Sequence, residues 1–168
     1  AKLTILRDGE KMGLTVPLIM CKPIVSVCPH DVMPTYYIFG GMVFAPLTLN
    51  YLQTWGGNWW YVSPINFRYH LVNDRAKPDH QEVVILLYVL ADEANVGYHE
   101  IDNLVVKEIG GEKVVDMADL VKKLEGARGE YVEISTDGGD RLVLSRENAM
   151  KATERVVERY RVPADRSD

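Results

Sequence analysis

One stretch of the chain, from Ile101 to Glu125, constrains the fold most, because its hydrophobic pattern changes at identifiable points. It reads IDNLVVKEIGGEKVVDMADLVKKLE. The run from Leu104 to Ile109 is typical of a strand, and the Gly-Gly pair after it predicts a tight turn into a short strand from Glu112 to Val115. Asp116 then caps a predicted helix, Met117 to Glu125, whose apolar positions share one face.

Similar patterns predict the other regular elements. Val83 to Leu90 is an apolar run of strand length. Glu130 to Ser135 and Arg141 to Leu144 predict a hairpin, and Ser145 caps a final helix that extends to Tyr160. Residues 3–7 and 13–18 are extended on either side of an Asp-Gly turn and predict a two-stranded ribbon. The ribbon has no evident core of its own, so it either belongs to a preceding domain or pairs with the main sheet.

The region between these elements is aromatic. Residues 36–44 read YYIFGGMVF and predict a loop that feeds a strand. All three tryptophans follow shortly afterwards. The stretch from about 46 to 80 is predicted to be a partly helical insertion.

Composition argues against two broad classes of partner. The net charge of −5 argues against nucleic acid, because phosphate binding needs a basic surface. The longest apolar run, Val83 to Ala91, is too short to cross a bilayer. Apolar residues at 47% suffice for a core without covalent staples. The fold therefore does not require a disulfide. Cys21 and Cys28 either form one or remain buried or free thiols.

No set of residues in the sequence predicts catalysis, a metal or a cofactor. None of the five serines stands in a G-x-S-x-G setting, and Ser145 is better explained as a helix cap. Cys28 and His30 lack the further ligands that a zinc site needs. Asp92 and Glu93 lie beside a turn and are predicted to be solvated caps. The histidines fall in polar or turn-like segments typical of the surface: His30, His70, His80 and His99.

The pattern from 101 to 125 resembles the second half of a bacterial-type PDZ domain. There a G-D-x-I-x-x-V-N-G-x-x-V stretch precedes a helix of the D-L type, and Asp119-Leu120 falls at that helix position. Two longer segments are similar to the last PDZ domain of a Do-like (HtrA/Deg) serine protease: YYIFGGMVFAPLT at 36–48 and VLADEANVGYHEIDNLVV at 89–106. The resemblance covers residues 22–163.

The resemblance implies a PDZ-like α+β fold that is mainly β. We expect a partly open barrel or sandwich of about five or six strands, capped by one short helix, with a C-terminal helix and the long insertion. Residues 1–22 are expected to be the closing hairpin of a preceding PDZ domain and a linker. The PDZ-like domain itself is expected over 23–163, and a disordered tail over 164–168.

The resemblance also implies a peptide-binding site. In a PDZ domain an extended peptide adds as a strand beside the sheet, and backbone amides of a glycine-containing loop hold its carboxylate. Core packing is an equal alternative for several of the residues involved. The residues implied are Tyr37, Ile38, Phe39 and Gly40 in the loop, Met42 and Phe44 on the following strand, and Met117, Leu120, Val121 and Leu124 on the facing helix.

Two functions stay open from this resemblance. The first is a non-catalytic module that binds peptide C-termini or unfolded segments for a parent serine endopeptidase in protein quality control. The second is a module that assembles and gates the homo-oligomer, with its groove occluded. The aromatic insertion then either crosses the groove or docks on a neighbouring subunit. Because Do-like proteases are often exported, the resemblance favours a periplasmic or cell-envelope location.

Overall fold

The structure is a computed structural model that describes residues 1–18, 22–27 and 33–167. Cys21, Cys28 and His30 lie outside these residues. The predictions for the two thiols and for Cys28 with His30 therefore concern residues outside the described part of the chain.

The N-terminal ribbon is an antiparallel pair, β1 (Lys2–Arg7) and β2 (Glu10–Thr15), in which Leu3 lies opposite Leu14. Asp8 and Gly9 turn the chain with φ of 52° and 83°, the left-handed geometry that a two-residue hairpin needs. The two strands pair with each other, and nearly all their residues are exposed. The predicted ribbon is therefore confirmed, whereas its origin in a preceding domain stays a prediction.

Within the described residues, seven further strands form one sheet. They are β3 (Tyr37–Phe39), β4 (Met42–Pro46), β5 (Val84–Val89), β6 (Leu104–Ile109), β7 (Glu112–Lys113), β8 (Tyr131–Thr136) and β9 (Arg141–Ser145). The strand order is β3, β4, β5, β6, β8, β9, with antiparallel neighbours throughout, and β7 pairs with β6. The mainly β, α+β architecture is confirmed as an open sheet.

The predicted amphipathic helix is α4 (Met117–Gly126). The Asp116 carboxylate accepts a hydrogen bond from the backbone N–H of Asp119 at 2.8 Å, which confirms the cap. Leu120 and Leu124 are buried against the sheet face that carries Phe44. α4 therefore covers one face of the sheet, as the periodicity indicates.

The insertion consists of α1 (Leu49–Gln53), α2 (Trp59–Val62) and α3 (Ile65–Asn73). Its Leu52 and Phe67 are fully buried and pack with Ile85 of β5. Side chains alternate across a strand, and the neighbouring Val84 and Leu86 face the α4 cluster instead. The insertion therefore lies on the sheet face opposite α4 and does not cross the groove, in contrast to one of the two predicted arrangements.

The last helix, α5 (Arg146–Arg159), begins directly after β9 and buries Ala149, Ala152 and Val156. Val156 packs with Ile38 and Val43, so α5 lies beside the β3–β4 end of the sheet. Among the helices of the described residues, none is long and apolar enough to cross a membrane.

Candidate functional site

The residues predicted to form a carboxylate-binding loop form an edge strand and a turn instead. Three of the four make up β3, which pairs with β4 in a register that places Ile38 opposite Val43. Gly40 and Gly41 turn the chain with φ of 60° and 84°. Because β4 pairs with β3 on one edge and β5 on the other, a peptide has no free edge on β4. The sheet edge nearest the predicted loop belongs to β3, and β9 forms the opposite edge.

The turn between β3 and β4 is held by Asn95, which is fully buried. Its Nδ2 donates hydrogen bonds to the carbonyl oxygens of Gly40 at 2.7 Å and Leu90 at 2.9 Å. Its Oδ1 accepts one from the backbone N–H of Asp92 at 3.0 Å. A Cβ on Gly41 would lie only 2.3 Å from this Nδ2. Glycine and the buried amide are thus both required for this turn.

Asp92 connects the same region to α5. Its enclosed carboxylate accepts hydrogen bonds from Nε of Arg155 at 3.1 Å, from Nη2 of the same guanidinium, and from the backbone N–H of Ala94 at 3.1 Å. The hydrogen bonds from Arg155 hold the pKa of Asp92 below its usual range. Asp92 is a cap, as predicted, but a buried one, and its carboxylate has a structural role.

Residues 164–167, called the closing segment below, lie along the open edge of β3. The sequence predicted a disordered tail over 164–168, and the structure differs for these four residues. The cause is the row of backbone groups that an edge strand leaves unpaired. Two backbone hydrogen bonds join the strands: Ile38 N–H to the oxygen of Asp165 at 2.7 Å, and Ser167 N–H to the oxygen of Tyr36 at 3.2 Å.

Arg166 of the closing segment is the antiparallel partner of Tyr37. Its side chain contacts Tyr37 of β3 and Glu125 of α4. The guanidinium carbon lies 4.9 Å from the centre of the Tyr37 ring. Nη2 donates to Oε1 of Glu125 at 2.6 Å and to Oδ2 of Asp165 at 3.0 Å. These bonds raise the pKa of Arg166 above its usual value. Burial, assisted by the Glu125 carboxylate, raises the pKa of Tyr37 to about 12, so the ring under the guanidinium stays neutral.

Two cavities flank the closing segment, and Arg166 lines both. The first, of about 560 Å³, lies beside Asp165, and its wall includes Phe39, Leu124, Met150 and Val157. The second, of about 530 Å³, lies beside Ser167, and its wall includes Tyr36, Met117, Ala118 and Val121. The closing segment thus occupies a channel between β3 and α4, which we call the β3–α4 groove.

The residues predicted to bind peptide separate into two groups. The first lines the cavities: Tyr37, Phe39 and Leu124 in one, Met117 and Val121 in the other. The second group is buried, lines neither of these cavities and belongs to the core or the turn: Ile38, Gly40, Met42, Phe44 and Leu120.

Sequence reasoning missed three of the residues that organise the groove. Arg166 was assigned to the disordered tail, and the contact of Glu125 is with a residue distant in sequence. Asn95 was not among the predicted site residues. One signal was present, since Asn95 falls inside the 89–106 segment that carried the family resemblance.

Within residues 1–18, 22–27 and 33–167, no group of three or more His, Cys, Asp or Glu side chains is placed to hold a metal ion. Two of the histidines have local partners. Nδ1 of His70 lies 2.7 Å from Oδ2 of Asp74, and Nε2 of His99 lies 2.7 Å from Oδ1 of Asn95. The second contact completes the hydrogen bonding of the Asn95 amide.

Comparison with known proteins finds similarity over nearly the whole chain. A family model described as PDZ domain matches residues 25–168. The chain is 30% identical over 158 residues to "Putative protease Do-like 12, mitochondrial" from Arabidopsis thaliana, an alignment that covers 94% of this chain and 28% of the relative. It is 29% identical over 162 residues to "Protease Do-like 4, mitochondrial", which covers 96% of this chain and 28% of that relative.

A third relative from the same plant is "Protease Do-like 2, chloroplastic", 26% identical over 171 residues, with 99% of this chain and 27% of the relative covered. The chain therefore spans just over a quarter of the length of these relatives. Their names refer to mitochondria and chloroplasts, whereas the resemblance alone favoured a periplasmic or cell-envelope location.

Proposed function

This chain belongs to the PDZ domain family, and from that premise we propose that it is a non-catalytic, peptide-binding module of a Do-like serine endopeptidase. Its ligands are extended segments of unfolded protein, which add as a strand to β3 in the β3–α4 groove. The relatives carry the word protease in their names, and the proteolytic chemistry belongs to parts of the protein outside this chain. An organellar location accompanies the proposal, because the relatives are named for organelles.

The observation that carries this proposal is the closing segment itself. A stretch of extended backbone already pairs with β3 through the bond from Ile38 N–H to Asp165 and the bond from Ser167 N–H to Tyr36. Main-chain hydrogen bonds of this kind supply the affinity when a peptide adds to a sheet edge, and adjoining pockets supply the specificity. A ligand peptide of the same direction would make the same bonds.

Such a ligand has to displace a tethered competitor. The closing segment is joined to α5 by a few residues, so its effective concentration at β3 is on the order of millimolar. A free peptide also loses translational and rotational freedom on binding. The observed affinity for a peptide is therefore the intrinsic affinity reduced by the fraction of chains in which the groove is open. Without a ligand the closing segment occupies the groove, and a peptide ligand replaces it.

The test maps a peptide onto the sheet edge by NMR. The peptide copies residues 162–168, and the chain carries Ser167→Pro, which removes the N–H that the closing segment donates to Tyr36. Ser167→Ala is the matched control, because it keeps that N–H and, like Ser167→Pro, loses the hydroxyl that accepts from the Tyr36 N–H at 3.2 Å. We expect saturable shifts at the amides of Tyr36 and Ile38, and an unmoved amide at Thr4 in the N-terminal ribbon. Absence of shifts at Tyr36 and Ile38 at millimolar peptide contradicts the proposal.

A second function, assembly of the oligomer, is favoured by a separate observation. The helices α2 and α3 present a cluster of exposed apolar side chains: Trp60, Tyr61, Val62, Ile65 and Tyr69. Aromatic residues of this kind anchor protein interfaces. Sedimentation of the chain and of its Tyr61→Ser variant tests this function. Self-association that weakens in the variant supports it, and a monomer at high concentration in both contradicts it for this chain.

A further inference from the structure

We propose that the β3–α4 groove contains a subsite for an arginine side chain, formed by the ring of Tyr37 and the carboxylate of Glu125. Its peptide ligands then carry an arginine at the position that Arg166 now occupies. This inference rests on the proposed function, because it specifies which extended segments the groove prefers. Nothing in the family resemblance or in the names of the relatives assigns such a preference.

The geometry of the subsite comes from two different elements. Tyr37 belongs to β3 and presents its ring to the guanidinium at 4.9 Å, within the range of a cation–π contact. Glu125 belongs to the last turn of α4 and accepts from Nη2 at 2.6 Å. The two groups face each other across the width of the groove. Only a residue opposite Tyr37 on the added strand has its side chain at this place.

The charges around the subsite favour a cation. Outside the closing segment, the charged residues that line the cavity beside Glu125 are Glu154 and one cation, Arg146, so the two carboxylates outnumber it. The subsite also lies at the C-terminal end of α4, where the helix dipole favours positive charge. Tyr37 contributes an uncharged ring, because the pKa of its phenol is raised to about 12 by burial.

Arginine fits these groups better than lysine does. The planar guanidinium can stack on a ring while its N–H groups bond carboxylates at its edge. Arg166 does both, since its Nη2 donates to Glu125 of the groove while its guanidinium carbon lies over the Tyr37 ring. An ammonium group is a point charge that is more strongly hydrated. We therefore expect the affinity of a peptide to decrease in the order Arg, Lys, Ala and Glu at the position of Arg166.

The size of the preference follows from the exposure of the pair. The side chains of Arg166 and Glu125 are 44% and 49% exposed, so the ion pair alone contributes little. Together with the cation–π contact it amounts to about a fivefold gain in affinity over alanine. The backbone hydrogen bonds provide most of the binding, and the subsite selects among sequences.

The experiment measures affinities by fluorescence anisotropy with the full chain carrying Arg166→Ala, which removes the side chain that fills the subsite. The probes are labelled peptides copying residues 162–168, with Arg, Lys, Ala or Glu at the position of Arg166. We expect the Arg peptide to bind about fivefold tighter than the Ala peptide and the Glu peptide to bind more weakly than both.

Variants of the chain then assign the preference to Glu125. In Glu125→Gln the Arg preference shrinks, in Glu125→Lys the Glu peptide becomes the better ligand, and in the matched control Glu130→Gln nothing changes. Equal binding of all four peptides overturns the arginine subsite and leaves the proposed function standing. Absence of binding by every peptide overturns the proposed function, and the subsite with it.

Discussion

The side-chain amide of Asn95 donates a hydrogen bond of 2.7 Å to the backbone oxygen of Gly40. This contact ties the 3₁₀ turn Glu93–Asn95 to the hairpin between β3 and β4. It holds β3 at the edge of the sheet, where the closing segment adds. The position of the groove therefore depends on a residue that does not line it.

Replacing Asn95 by alanine is expected to destabilise the chain by about 2–3 kcal/mol, because the buried carbonyls of Gly40 and Leu90 lose their donor. Urea unfolding followed by tryptophan fluorescence measures the change. Asn148→Ala is the control, since Asn148 is exposed on α5, and it should change the free energy of unfolding by less than about 0.5 kcal/mol. Equal effects of the two variants would contradict the role assigned to Asn95.

The ion pair between the buried carboxylate of Asp92 and the exposed guanidinium of Arg155 predicts a specific pH dependence. Because the pKa of Asp92 is lower in the folded chain than in the unfolded chain, ionised Asp92 stabilises the fold above about pH 4, and this stabilisation is lost as the pH falls through the folded pKa. Asp92→Asn should therefore cost about 1–3 kcal/mol at pH 7 and progressively less below pH 4.

The measurement is urea unfolding of parent and variant at pH 7 and pH 3. Asp79→Asn, which alters an exposed carboxylate, is the control and should leave the stability difference between the two pH values unchanged. A cost for Asp92→Asn that is the same at both pH values would show that the carboxylate charge is not what stabilises the pair.

The insertion is predicted to be part of the core and not an appended loop. Phe67→Ala removes a fully buried ring of α3, and we expect a loss of about 3–5 kcal/mol. Tyr69→Ala, on the same helix but 58% exposed, should cost under about 1 kcal/mol. Thermal unfolding of both variants measures the difference. A small effect of Phe67→Ala would mean that α3 unfolds independently of the sheet.

Much of the fold was predictable because its signals are local. The Gly-Gly turn, the Asp116 cap and the period of α4 lie within one stretch of sequence, and the structure confirms the strands and the helix there. The burial of Leu120 and Phe44 also agrees with the core alternative.

The groove was not predictable in the same way, because its parts are distant in sequence. Whether β3 pairs with β4 or stays a loop depends on the buried amide of Asn95, more than fifty residues away from Gly40. The closing segment is polar and looks disordered by composition, and it orders only because the edge of β3 offers unpaired backbone groups. No short window of sequence contains both partners.

The central claim is that the closing segment and a peptide ligand compete for the same edge of β3. The most direct measurement is the affinity of one labelled peptide, copying residues 162–168, for the unaltered chain and for Ser167→Pro. Loss of the hydrogen bond from the Ser167 N–H to Tyr36 should open the groove and tighten binding about fivefold or more. Ser167→Ala keeps this N–H and loses only the hydroxyl that accepts from the Tyr36 N–H at 3.2 Å, so it should tighten binding less than Ser167→Pro does. Equal affinities for the unaltered chain and Ser167→Pro would contradict the claim.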